Sequence, residues 1–177
     1  MNKTSKKFSL LRVACALAGI FLIAFIAYEI IKYSEIKRIQ NQILRELATT
    51  NHVIVISSKG YIGKLILKFI QDDDPNFLNL FPNETKNAVR INSQADIDKI
   101  ISSIVLTKEE KGSCACNGSH YLGFYHDKVL LGIILVKHAE LIIYINKKDE
   151  SIGQYYLKKS KMIEIVSTLK KYKIDLK

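Results

Sequence analysis

The feature that most constrains this chain is an apolar run close to its start. Val13 to Tyr28 (VACALAGIFLIAFIAY) holds 16 residues without a charge, and Phe8 to Leu11 lengthen it to 21 residues broken only by Arg12. At about 1.5 Å rise per residue a helix of that length covers roughly 30 Å, one bilayer hydrocarbon core. Arg12 lies near one end, where a long side chain can snorkel to the interface. Tyr28 and Tyr33 stand at the other end as interfacial anchors, next to Glu29. The run therefore predicts a transmembrane signal anchor over 10–32, behind a basic tail over 1–9, with the lipid bilayer as the first partner.

A cleaved signal peptide is the rival reading. The A-x-A pattern Ala14-Cys15-Ala16 precedes most of the apolar residues, and Phe25-Ile26-Ala27 has the wrong first residue for a cleavage site. Arg12-Val13-Ala14 is a poor lipoprotein box before Cys15. Lys and Arg flank the run in equal numbers, so the positive-inside rule leaves orientation tied. The short lysine-rich tail favours the N-terminus inside, which predicts a single-pass protein of the cytoplasmic membrane with its C-terminal domain extracytoplasmic.

The net charge of +10 from 27 basic and 17 acidic residues is unevenly placed. Residues 1–33 carry +4 and residues 158–177 carry +5, so the 124 residues between hold only +1. A nucleic-acid-binding domain spreads basic charge over its body, so nucleic acid is excluded as a partner. With 48% hydrophobic residues, seven Phe and nine Tyr, the chain is not disordered, and three cysteines do not make a disulfide scaffold. The lysines of the C-terminal helix read as a solvated face, or as a face drawn to anionic lipid headgroups.

After the anchor, Ile36, Ile39, Ile43, Leu44 and Leu47 recur at helical spacing, predicting a juxtamembrane amphipathic helix over 33–50. Its stripe can pair with a second copy through residues 36–47, giving a homodimer, or dock on its own domain. From residue 51 to 177 the pattern is that of one α+β domain: a mainly antiparallel sheet with two covering helices. Val53–Ile56 reads as a strand, Ser57-Ser58-Lys59-Gly60 as a turn, Leu65–Phe69 as a half-buried strand, 71–88 as a long loop, and Ala88–Ile91 as a short strand. Asp96–Leu106 reads as a helix capped by Asn92 or Ser93. Tyr121–Tyr125, Val129–Lys137 and Leu141–Ile145 form a meander whose middle strand is apolar enough to be covered on both faces. A last helix over Lys159–Tyr172 buries Met162, Val166 and Leu169, with Ile163, Ile165 and Tyr172 widening the stripe.

Few motifs carry chemistry. Asp72-Asp73-Asp74-Pro75-Asn76 mimics the start of a calcium loop but has Phe77 at the glycine position and Asn83 at the glutamate position. Gly60–Lys64 lacks the spacing of a phosphate loop. No catalytic set and no cofactor site assemble from the sequence. The remaining candidate is Cys114-Ala115-Cys116-Asn117-Gly118-Ser119-His120. In a strand the two thiols share a face about 6.6–6.8 Å apart, the upper limit for a disulfide. Three readings stay open: a small disulfide or buried thiols, a zinc or copper site with His120 and His138 as further ligands, or a reactive thiol. If Asp127-Lys128 closes a two-residue hairpin, His138 lies opposite Asn117, beside Cys116.

Cys114-x-Cys116-x-Gly118, the aromatic strand Leu122-Gly123-Phe124-Tyr125, the apolar strand ending at His138, and Leu157-x-x-Ser160 opening the final helix resemble a group of small uncharacterised bacterial domains. The similarity covers about residues 88–175. In that group a His-His or His-Gly pair ends the second strand, whereas this chain has His138-Ala139. The resemblance implies an α+β fold and a bacterial source, and it transfers no catalytic residue.

The functional expectation is a membrane-anchored envelope protein whose domain is a binding or interaction module for an unknown protein partner. The alternative is a thiol-redox or metal-binding protein using the Cys-x-Cys motif.

Overall fold

The computed structural model describes residues 3–61, 87–109, 117–136, 141–146 and 151–174. Helix α1 runs from Lys3 to Leu47. The chain divides into two units, Met1–Arg38 and Ile39–Lys177. In the first unit the apolar helix is bare on all sides: Leu17, Ile20, Phe21, Ile23, Phe25, Ile26 and Ile30 are exposed, Phe21 at 73%. A soluble helix buries one stripe and solvates the other, so a helix apolar all round needs an apolar surrounding. The stretch from Cys15 is long and apolar enough to cross a membrane.

The second unit is an α+β domain built on a seven-stranded sheet. Its strands are β1 (His52–Tyr61), β2 (Val89–Ile91), β3 (Leu106–Glu109), β4 (Asn117–His126), β5 (Val129–Val136), β6 (Leu141–Asn146) and β7 (Ser151–Leu157), in the order β2-β1-β4-β5-β6-β7-β3. All neighbouring pairs are antiparallel. The β4–β5–β6 meander is the one the sequence predicts. Gly132 to Val136 are buried without interruption, as expected for a central strand covered on both faces.

Pairing assigns the faces. Val53, Val55, Leu122, Phe124, Ile134 and Tyr144 share one side, and all are buried. Ile56, Tyr121, Ile133 and Leu135 lie on the other side and are buried too. The hairpin closes as the spacing predicts, with His126 opposite Val129 and Tyr125 opposite Leu130. A bulge between Phe124 and Tyr125 then shifts the pairing by one, so Phe124 meets Gly132 and His120 meets Val136. This corrects the uniform register on which the placement opposite Asn117 rested.

Two further corrections follow from the sheet. Ser57–Gly60 is not a turn: β1 runs through it, because β4 offers hydrogen-bonding partners as far as Asn117, with a register shift between Ser58 and Tyr61. The predicted helix over 96–106 is too long at its end. It is α2 (Gln94–Ser102), and Leu106 instead opens β3 against Leu157 of β7. Neither β3 nor β7 is evident from alternation alone. The expected strand at 65–69 and all but the last two residues of the expected loop over 71–88 lie outside the described residues.

Helix α2 starts at Ser93, whose hydroxyl accepts the Asp96 N–H at 3.4 Å, and buries Ile97 and Ile100. Helix α3 (Lys159–Lys170) buries Met162, Ile165, Thr168 and Leu169. Val166 is half-buried, and Ile163, expected in the stripe, is 61% exposed. The C-terminal turns of α1 also dock on this unit: Ile43 and Leu47 are fully buried, and buried Gln40 accepts the Leu106 N–H through Oε1 at 3.0 Å. That bond occupies a main-chain donor of edge strand β3, which blunts the edge against pairing with another strand. Of the two fates open to the apolar stripe, docking on its own domain is the one observed for Ile43 and Leu47.

Candidate functional site

The densest polar constellation among the described residues lies where α1 gives way to β1 and meets the β4–β5 turn. Asp127 sits in this two-residue turn at φ 52, a left-handed conformation that Asp tolerates better than most residues. Its backbone N–H donates to Asn51 Oδ1 at 3.1 Å, and Asn51 Nδ2 returns a 2.7 Å hydrogen bond to Asp127 Oδ1. The Asn51 N–H donates to the Tyr125 carbonyl at 2.8 Å. A single asparagine thus clamps the turn to the chain entering the sheet.

Two histidines flank this clamp. His52 Nδ1 lies 2.9 Å from Asn51 Oδ1. Because that oxygen already accepts from Asp127, it is the carbonyl end of the amide, so Nδ1 carries the proton and donates. The imidazole stacks on the Tyr125 ring, with centroids 4.9 Å apart and planes 7° apart, and it is buried. Burial lowers its pKa from the usual histidine value, the Arg90 guanidinium lowers it further, and Asp127 opposes both. His126 donates through Nδ1 to the Thr49 carbonyl at 2.7 Å, while its Nε2 lies 3.9 Å from Asp127 Oδ2. The corner holds the helix end to the sheet and buries one imidazole, whose pKa that burial lowers.

Three other clusters tie the elements together. Asp96 of α2 receives the Lys171 ammonium at 2.6 Å and the Tyr172 hydroxyl at 2.8 Å, and these donors hold its carboxyl below the ordinary range. Lys171 is raised in return, and Tyr172 is raised by burial and by the same bond. Glu164 of α3 is lowered by Lys161 at 2.8 Å and by the Ser103 hydroxyl at 2.9 Å. On the sheet, the Tyr144 hydroxyl donates to Glu46 at 2.6 Å, and Gln42 Nε2 donates to the same carboxylate at 3.0 Å. Beneath that ring lies Gly132, where a Cβ would stand 2.9 Å from Tyr144 Cε2.

Of the residues singled out by sequence, His120 is in β4, paired with Ser57 and Val136 and half-buried. Cys114, Cys116 and His138 lie outside the described residues. Among the described residues no group of three or more His, Cys, Asp or Glu side chains is arranged to hold a metal ion. Sequence reading overlooked Asn51, His52 and the Glu46–Tyr144 pair. The signal for the first two was an Asn-His dipeptide immediately before a β-branched run. The fold defines the chain's class as an antiparallel α+β domain behind a long apolar N-terminal helix. No known family model, curated protein or solved structure matches it.

Proposed function

We propose that this chain is a single-pass protein of a bacterial cytoplasmic membrane, with its α+β domain on the extracytoplasmic side as a binding or interaction module of the cell envelope. The observation that carries this reading is the helix surface from Leu17 to Tyr28, uncharged and with large apolar side chains exposed around its circumference. Each such side chain left in water forfeits about 1.5–3 kcal/mol of burial, so the segment is stable only within an apolar phase. The module reading is supported by how the domain uses its polar groups. Asn51, Asp127, Asp96, Glu164, Glu46 and Gln40 each tie one element to another. The result is a braced scaffold that presents its outer surface to a partner.

A C-terminal alkaline phosphatase fusion tests the assignment. It is expected to be active, and the full-length chain to remain in the membrane pellet after alkaline carbonate washing. An inactive phosphatase with an active cytoplasmic reporter would reverse the orientation. A shortened, soluble product would show that the segment is a cleaved signal.

A further inference from the structure

Residues 158–173 carry six lysines, and the structure sorts them into two kinds. Lys161 is bound to Glu164 and Lys171 to Asp96, so these two brace the helices. Lys158, Lys159, Lys170 and Lys173 are exposed and have no ion-pair partner among the described residues. Lys159, Ile163, Val166 and Lys170 follow one another at steps of four, three and four, so they form one row about 16 Å long on α3. The buried row of Met162, Ile165 and Leu169 lies about 100° round the helix from it. Within the row Ile163 is 61% exposed and Val166 half-buried, and the two lysines bracket them.

We propose that this outward face of α3 docks on an anionic phospholipid surface. Lysines at both ends of a row with an exposed aliphatic residue at its centre suit that surface: the ammonium groups reach phosphates while Ile163 enters the headgroup boundary. Uncompensated positive charge gives the electrostatic match, with each lysine near an anionic bilayer worth roughly a fivefold gain in occupancy. The inference rests on the membrane reading above for its local concentration. Only Ser34 to Arg38 separate Tyr33, the second interfacial tyrosine, from Ile39, where the domain unit begins, so the anchor keeps the domain close to the bilayer.

The chain contains no tryptophan, so Ile163→Trp places a single indole reporter at the centre of the face. The full chain is reconstituted in nanodiscs of phosphatidylcholine alone or of phosphatidylcholine with phosphatidylglycerol. The expected result is blue-shifted emission and severalfold weaker acrylamide quenching in the anionic discs only. High salt, or Lys159→Glu with Lys170→Glu, should abolish both effects while the melting temperature stays unchanged. Identical emission and quenching in the two lipids would overturn the proposal, as would a shift that survives the double charge reversal. Carbonate extraction of the same protein separates the two readings. A chain retained in the bilayer without a spectral shift refutes only the docking face. A chain released by carbonate that still shifts on anionic vesicles refutes only the anchor.

Discussion

Replacing Gly132 with alanine tests the packing of the domain at one methyl group. The Cβ would stand 2.9 Å from Cε2 and 3.0 Å from the hydroxyl oxygen of Tyr144, so the ring must move. It has little freedom to do so, because Tyr144 is 5% exposed and its hydroxyl is held 2.6 Å from Glu46. Overpacking a core costs about 1–3 kcal/mol, and loosening a hydrogen bond to a charged group adds up to about 1.5–3 kcal/mol. Against this, alanine restricts the unfolded chain and returns about 0.4–1 kcal/mol. The balance is a loss of roughly 1–4 kcal/mol, a fall of a few degrees to about 15 °C in Tm. Thermal unfolding of the full chain in mild detergent, followed by near-ultraviolet circular dichroism, measures it. The decisive control is Gly132→Ala in a Tyr144→Ala background, where the methyl has room and should be neutral or stabilising. Equal losses with and without the Tyr144 ring would refute the steric argument.

Two further outcomes follow from the helices and the histidine corner. Met162→Ala and Leu169→Ala should each cost about 2–5 kcal/mol through cavities under α3, whereas Lys170→Ala should stay within about 0.5 kcal/mol; urea melts showing similar losses would mean that the buried face is misassigned. His52 is held below the ordinary histidine pKa near 6.5, so between that value and its lower native value the unfolded chain binds more protons. Its contribution is complete above about pH 6.5 and is lost as the pH falls through the native pKa. His52→Phe, which keeps the stack on Tyr125, should give a flatter dependence of Tm on pH from about 7 to 5, and an unchanged slope would exclude His52 as its source.

Elements with a strong local period were legible before any coordinates. The apolar run of α1, the β4–β5–β6 meander and the inward row of α3 each carry their period in consecutive residues. The cap of α2 was legible as Asn92 or Ser93, because capping needs only a short polar side chain before the first turn, and the fold uses Ser93. The strand through Ser57–Gly60 was not, since turn-forming residues become a strand only when a neighbour such as β4 supplies a ladder. Nor were β3 and β7, which form the far edge of the sheet and whose partners are other parts of the chain.

By itself, the sequence determined that this chain carries a membrane-length apolar helix and an α+β domain, because both are written in local periodicity and composition. Tertiary structure alone decided where the buried faces of the helices end. It turned Ile163 outward, seated Ile43 and Leu47 in the domain, and shifted the β4–β5 register by one residue at a bulge. It also brought Asn51 to Asp127, Glu46 to Tyr144 and Asp96 to Lys171, contacts separated by at least 75 residues. A period can be read from neighbours in the chain. A clamp between distant residues exists only once folding has already met the entropy cost of bringing them together.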